Sequence, residues 1–437
     1  MQIDKETYND LNIFTTETDG ASLFTQLNYT TTNGGKDCLA QLLHNPLSSL
    51  TQIQAQQALL QHIQLHLAKW PCNITNGTIL MLQTFYSSTI DAIPANASSI
   101  AAAQYVAINN TSYALVRYSI THFEQFYKGL NELYNMLITA APPTLVSALQ
   151  PIVQALQQQV TLQQLVNNTS KLSPKQVLQY ANYFKNKGKQ LTLQLIAQYH
   201  LLDAWYALAK ATETYKLSYP TFSNSTQPQL QTKQLYHLLL SKPVAYDIAL
   251  HQNQNFLFLT GANMAGKSTF IKAVGIAIYM AHLGMAVPAA SMQLCMFDGL
   301  LSNIQMNDNI TKGESYFYNE VQRIKTTVQK INNGQNWFVL IDELFKGTNV
   351  QDAMKCSLAV IQGLLKIKQS LFILSTHLYE IGTEINQYPN ILCKYFETQV
   401  VNHKLQFSYQ LLDGISNDRI GYIILQREGV VDMLEAL

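Results

Sequence analysis

The sequence predicts an α + α/β chain: a mostly helical domain over residues 1–230, then an α/β domain over residues 231–437 with a mainly parallel sheet. Three observations predict it. Apolar residues recur at helical spacing through the first half, and short apolar runs alternate with helix-like segments in the second. Between them lies the polar stretch Ser218 to Lys233, punctuated by Pro220, Asn224, Ser225 and Pro228, which reads as the boundary. Strands alternating with helices are the pattern of a parallel sheet.

In the first half, Gln52–Leu67 and Ser119–Ile138 suit amphipathic helices. Ser173 followed by Pro174 reads as a helix start with proline in its first turn. That helix either breaks near Gly188 or runs on as one long element. Leu201, Trp205, Leu208, Thr212 and Tyr215 share one face of a long helix that ends before Pro220. In the second half, Phe256–Thr260, Trp337–Ile341 and Leu371–Ser375 read as strands, separated by helices at Ser268–Leu283, Glu314–Asn332 and Gln351–Lys366. Leu392–Val400 and Lys404–Leu411 flank Val401-Asn402-His403 as a hairpin.

Composition limits the functions available. Charged residues make up 13% of the chain, about half the usual share of roughly 25%, with Asn, Gln, Ser and Thr in their place. With 28 basic and 27 acidic residues, no field over the whole chain draws in nucleic acid, although a local contact face stays open. Cys38, Cys72, Cys295, Cys356 and Cys393 are scattered without metal-ligand spacing, so neither a disulfide framework nor a zinc site is expected. The polar start MQIDKETYND is no signal peptide. The long uncharged run Leu133–Ser170 is broken by prolines and glutamines and does not read as a membrane span. A cytoplasmic protein with no membrane partner is expected.

Gly261 to Ser268 reads GANMAGKS, a full match to GxxxxGK[ST], set between the strand FLFLT and a helix. Gly261 and Gly266 let the backbone wrap closely and aim its N–H groups at phosphates, and the helix N-terminus adds partial positive charge. The expected cradle is Gly261, Ala262, Asn263, Met264, Ala265, Gly266, Lys267, Ser268 and Thr269, with ATP and Mg²⁺ as cofactors. Lys267 reaches the β- and γ-phosphates, and the Ser268 hydroxyl ligates Mg²⁺.

WFVLIDEL places Asp342 and Glu343 at the C-terminal end of a strand, where open parallel sheets bind their ligands. Asp342 would hold the hydrated Mg²⁺ and Glu343 would polarise the attacking water; a merely solvated carboxylate pair is the alternative. The next strand ends LSTH, bringing Ser375, Thr376 and His377 to the same edge. His377 either senses the γ-phosphate, orients the water, or is a plain strand-end histidine.

These residues carry a resemblance. GANMAGKSTFIK resembles the phosphate loop of the MutS mismatch-repair ATPases, close to GPNMGGKST. NDNITKGESYFYNE (Asn307–Glu320) is similar to the family's DDLxxGxSTFxxE segment, IDELFKGTN to LDEIGRGTS, and STH to ATH. LLDAWYALAKATETYKLSYPTF is similar to the end of the lever helix, and IDKETYNDLNIF with the TTNGGKDCLAQLL run to the opening of the helical core. The resemblance spans nearly the whole chain, with Thr75–Gln190 the least legible part. The resemblance implies an ABC-like P-loop ATPase domain behind a helical core and lever domain, working as a homodimer with composite ATP sites. It implies that Ser315 reaches in trans to the partner's γ-phosphate, with Gly313 permitting the approach and Asn309 and Glu320 at matching polar positions.

Departures from the family qualify what is expected. The core opening begins at Ile3, so the mismatch-reading and connector domains are expected to be absent, and the short ending after Leu425 suggests a truncated dimerisation element. Lys346 stands where the family has arginine, replacing a bidentate contact with a point charge. Tyr246 stands where asparagine is common, and no adenine-stacking aromatic is identifiable. Residues 1–242 hold 14 basic and 11 acidic residues, so the DNA-gripping part is expected to be reduced. Lys185, Lys187 and Lys189, near Lys171 and Lys175, form the one local basic concentration, either a solvated face or a phosphate contact.

The function expected first is an ATP-hydrolysing, dimerising MutS-like protein acting in mismatch repair or on other DNA structures. The second is an ATP-driven switch or scaffold whose helical arm binds a protein rather than DNA. An ABC-type subunit of another machine fits less well, given the Asn263-Met264 pair and the KGES segment.

Overall fold

A computed structural model of the chain describes residues 1–14, 20–95, 97–304, 316–401, 404–416, 426 and 429–435. In order, the first half holds β1 (Gln2–Ile3), α1 (Lys5–Asp10), α2 (Leu23–Leu27), α3 (Asn33–His44), α4 (Leu50–Gln64), α5 (Asn76–Ser87), α6 (Ser99–Ile108), α7 (Asn110–Leu137), α8 (Pro143–Gln158), α9 (Val160–Val166), α10 (Pro174–Asn186) and α11 (Lys189–Thr214). The second half holds β2 (Thr221–Phe222), β3 (Gln229–Leu235), β4 (Tyr246–His251), β5 (Phe256–Thr260), α12 (Lys267–His282), β6 (Ser291–Leu294), β7 (Gly299–Asn303), α13 (Tyr316–Ile331), β8 (Trp337–Asp342), α14 (Val350–Leu364), β9 (Leu371–Ser375), α15 (Ile381–Ile385), β10 (Ile391–Val401), β11 (Lys404–Asp413) and α16 (Val430–Glu435). This is a helical domain plus an α/β domain, as the sequence predicts.

The chain divides into two compact units. One comprises residues 27–45 and 54–214, the other residues 1–26, 46–53 and 215–437. Relative to a cut at 230/231, the opening residues and the 215–230 stretch fall with the α/β part. The polar boundary stretch itself contains β2 and β3. Along β3, Leu230, Thr232 and Leu235 are buried between exposed or half-buried polar residues, so a strand with one wet face had read as a linker.

The helical unit is built on amphipathic stripes. In α7, Val116, Ile120, Phe123, Tyr127, Leu130 and Leu137 recur on one buried face. Phe123 stacks on Phe184 of α10, ring centroids 4.0 Å apart. Helix α10 opens with a capping box between Ser173 and Gln176, and it ends before Gly188, so α10 and α11 are two helices rather than one.

In the α/β unit the large sheet runs β1-β7-β8-β9-β5-β10-β11, and all neighbours are parallel except the β10/β11 hairpin. Strands β5, β7, β8 and β9 are buried at every residue, as a parallel sheet covered on both faces requires. A second, four-stranded sheet runs β2-β6-β3-β4. Helix α12 is buried along almost its whole length, including Phe270, Ile276 and Met280. Register brings the C-terminal ends of β5, β8 and β9 level: Leu259 and Asp342 both pair with Ser375. The five cysteines are free thiols. No helix among the described residues is long and apolar enough to cross a membrane.

Candidate functional site

The GANMAGKS segment wraps from the end of β5 into α12 with Gly261 at φ 141°, Met264 at φ 70° and Gly266 at φ 109°. The glycines are required on two counts: their dihedrals lie in the left-handed region, and the loop is backed by β10. A Cβ on Gly261 would lie 3.2 Å from the Phe396 carbonyl oxygen. Phe396 forms an edge-to-face trio beneath the loop with Tyr246 and Phe270. Tyr246 is thus largely buried packing, and it also lines the cavity described below.

The structure brings the expected polar residues together. The Lys267 ammonium donates to the Gly261 and Ala262 carbonyls at 2.7 and 3.0 Å and lies 3.9 Å from Glu343 Oε1. Burial lowers the Lys267 pKa, opposed by the Glu343 and Asp342 carboxylates. Asp342 accepts hydrogen bonds from the Ser268 and Ser375 hydroxyls, one on each oxygen. Ser268 and Asp342 thus present hard oxygen donors at a single point, the set that Mg²⁺ prefers. Among the described residues no group of three His, Cys, Asp or Glu converges.

Glu343 lies beside this pair. Its carboxylate is 3.0 Å from the Lys346 ammonium and 3.7 Å from His377 Nδ1. Burial would raise the Glu343 pKa, but His377, Lys346 and Lys267 outweigh it and bring it down to about 2, so the group is a carboxylate at neutral pH. His377 is half exposed at the same edge. Ser315, Gly313 and Asn309 lie outside the described residues. So does most of the Gly414–Leu425 segment.

A cavity of about 450 Å³ opens beside the loop. It is lined by the polar side chains of Lys242, Asn263, Lys267, Ser268, Thr269 and Glu343 and by Leu240, Val244, Tyr246, Met264 and Tyr409. Tyr409, 39% exposed on β11, was not singled out from the sequence. It sits where β11 bulges: the register with β10 shifts between Phe407 and Leu411, and Tyr409 has φ 53°, so regular strand alternation does not place it at the loop. It approaches the loop closely: a Cβ on Gly266 would lie 3.4 Å from Tyr409 Cδ1. A cavity lined by both charged and aromatic side chains suits a ligand made of phosphates and a flat ring.

In the helical unit, the basic cluster is partly engaged internally. Lys185 lies 5.5 Å from the Phe85 ring centroid and donates to the Phe85 carbonyl at 3.4 Å, and Lys189 lies 5.6 Å from the Tyr86 ring. This favours a structural use for two of its lysines.

Comparison with known families matches MutS domain III over residues 6–256 and MutS domain V over residues 257–433. The chain belongs to the MutS family. It is 26% identical over 257 residues to the DNA mismatch repair protein MutS of Petrotoga mobilis, an alignment covering 58% of this chain and 31% of that protein. Over 280 residues it is 30% identical to the DNA mismatch repair protein MSH3 of Candida glabrata, covering 61% and 26%. Over 230 residues it is 29% identical to human MutS protein homolog 4, covering 50% and 24%. This MutS-family chain therefore spans less than a third of the length of these relatives in the aligned part.

Proposed function

We propose that this MutS-family chain binds ATP with Mg²⁺ and hydrolyses it, and that the cycle serves DNA mismatch repair or the recognition of another DNA structure. The observation that carries the reading is the convergence of Lys267, Ser268, Asp342 and Glu343 at the ends of β5 and β8, beside a cavity lined by both polar and aromatic side chains. Loop amides and Lys267 hold the phosphates, and Tyr409 with Val244 flanks the base. Ser268 and Asp342 would hold Mg²⁺, which would neutralise charge on the β- and γ-phosphates. Glu343 takes the proton of a water as its oxygen bonds to the γ-phosphorus, the bond to the ADP oxygen breaks, and ADP and phosphate leave. His377 orients Glu343 or the water. By resemblance, two copies share composite sites, each lending Ser315 to the other. The relatives' role in DNA mismatch repair supports DNA as the partner.

A second reading is an ATP-driven switch whose helical unit binds a protein. Its support is the engagement of Lys185 and Lys189 by Phe85 and Tyr86, together with exposed Ile100 and Ile108 on α6. Steady-state ATP hydrolysis at low salt, without DNA and with perfect, mismatched and branched duplexes, separates the readings, with Glu343→Gln as the blank. Stimulation by one DNA form supports the first. Glu343-dependent turnover that ignores every DNA supports the second, and no such turnover overturns both.

A further inference from the structure

The segment carrying Glu343 has an unusual backbone. Glu343 has φ 61° and Phe345 φ 60°, both in the left-handed region that residues with a Cβ adopt at a cost. Such a conformation persists only where neighbouring groups hold it. Helix α13 supplies the hold. Glu320, 3% exposed, accepts the Lys346 amide on Oε1 at 3.1 Å and the Gly347 amide on Oε2 at 3.4 Å. One turn earlier, the Phe317 ring lies 5.7 Å from the Phe345 ring. The residue whose amide Glu320 accepts is the one whose ammonium holds the Glu343 carboxylate at 3.0 Å.

We infer that Glu320 is a positioning residue for Glu343, fixing the 344–347 turn so that the Glu343 carboxylate faces the nucleotide loop. This rests on the proposed ATP hydrolysis. Glu320 touches neither Lys267 nor the loop amides, so its loss acts on turnover and not on nucleotide capture. A buried carboxylate that merely caps a turn would instead lower stability and leave turnover per folded molecule unchanged.

The test is Glu320→Gln in the full chain, which keeps the shape but turns one acceptor into an NH₂ group facing a backbone N–H. With the fold monitored by thermal unfolding, kcat should fall about tenfold or more while the Kd of a fluorescent ATP analogue stays within about twofold. Phe317→Leu, which loosens the same turn at Phe345, should lower kcat in the same direction with Kd unchanged, and it serves if Glu320→Gln fails to fold. Wild-type kcat in the folded variant that is measured overturns the inference, as does a loss of kcat matched by an equal weakening of Kd. A wild-type chain without Glu343-dependent turnover overturns the hydrolysis reading and this inference with it, an outcome distinct from a variant that fails alone.

Discussion

The Asp203 carboxylate of α11 accepts the Thr32 amide at 2.9 Å and the Thr32 hydroxyl at 2.7 Å, where α3 begins. Thr31 adds its amide and hydroxyl to the same carboxylate. A carboxyl group with no exposed surface is tolerated because donors surround it, and α3 gains a satisfied N-terminus in return. The fit leaves no room: a Cβ on Gly35 would lie 2.1 Å from Asp203 Oδ2. Asp203→Asn places a donor against donors and should destabilise the helical unit by about 3 kcal/mol. Gly35→Ala should act in the same direction. Urea unfolding followed by far-UV circular dichroism reads both, and an unchanged midpoint for either would contradict the assignment.

At the nucleotide loop, Lys267→Ala should abolish saturable ATP binding, measured by titration of a fluorescent analogue. Glu343→Gln should bind as wild type but stop turnover, accumulating the ATP-bound form in a filter-retention assay. Unimpaired turnover in Glu343→Gln would remove it from the role of base.

Tyr409 offers a separate test of the proposed nucleotide binding in the cavity it lines. Tyr409→Ala should weaken ATP binding about tenfold, the worth of one aromatic stacking contact, and Tyr409→Phe should restore it. Binding of inorganic triphosphate, which has no ring, should be unaffected by either change.

Acid should destabilise the α/β unit through His282. This imidazole is fully buried, with Nδ1 against the Ile278 carbonyl at 2.9 Å and Nε2 accepting the Phe297 amide at 3.0 Å. Burial brings its pKa down to about 4 from 6.5. The unfolded chain takes up the proton first, so the stabilisation is complete above about pH 6.5 and is lost as pH falls towards 4. Its full size is about 3 kcal/mol. Urea midpoints at pH 7.5 and 5 should differ more in wild type than in His282→Gln, which lacks the titrating group; equal drops would exclude His282 as the cause.

The large elements were legible because their signals are local. The strands Phe256–Thr260 and Leu371–Ser375 appear with the expected ends, since uninterrupted apolar runs have nowhere to go but a sheet buried on both faces. The loop between β5 and α12 was legible because its glycines recur at a fixed spacing, and Gly261 and Gly266 take the left-handed dihedrals that this turn requires. Strand β3 was not, because its polar face and neighbouring prolines carry the composition of a linker. Tyr409 was missed for another reason: it lies more than a hundred positions from the loop it meets, and only the pairing of β10 with β5 brings it there. For Lys185 and Lys189 a solvated face and a phosphate contact both stayed open, because a sequence does not show that the rings of Phe85 and Tyr86 lie beside them.

The opening residues belong physically to the far end of the chain. Strand β1 pairs with β7, Asp4 accepts from Arg323 and Lys330 of α13, and Asp10 accepts from the Ser302 hydroxyl and the Ile304 amide. A recombinant fragment beginning at residue 231 would strip an edge from the large sheet, orphan two cations and leave those donors unmet. Deletion mapping with such a fragment would therefore report a broken scaffold rather than the work of the removed residues, since the first ten residues are as much a part of the α/β unit as the loop that bears Lys267.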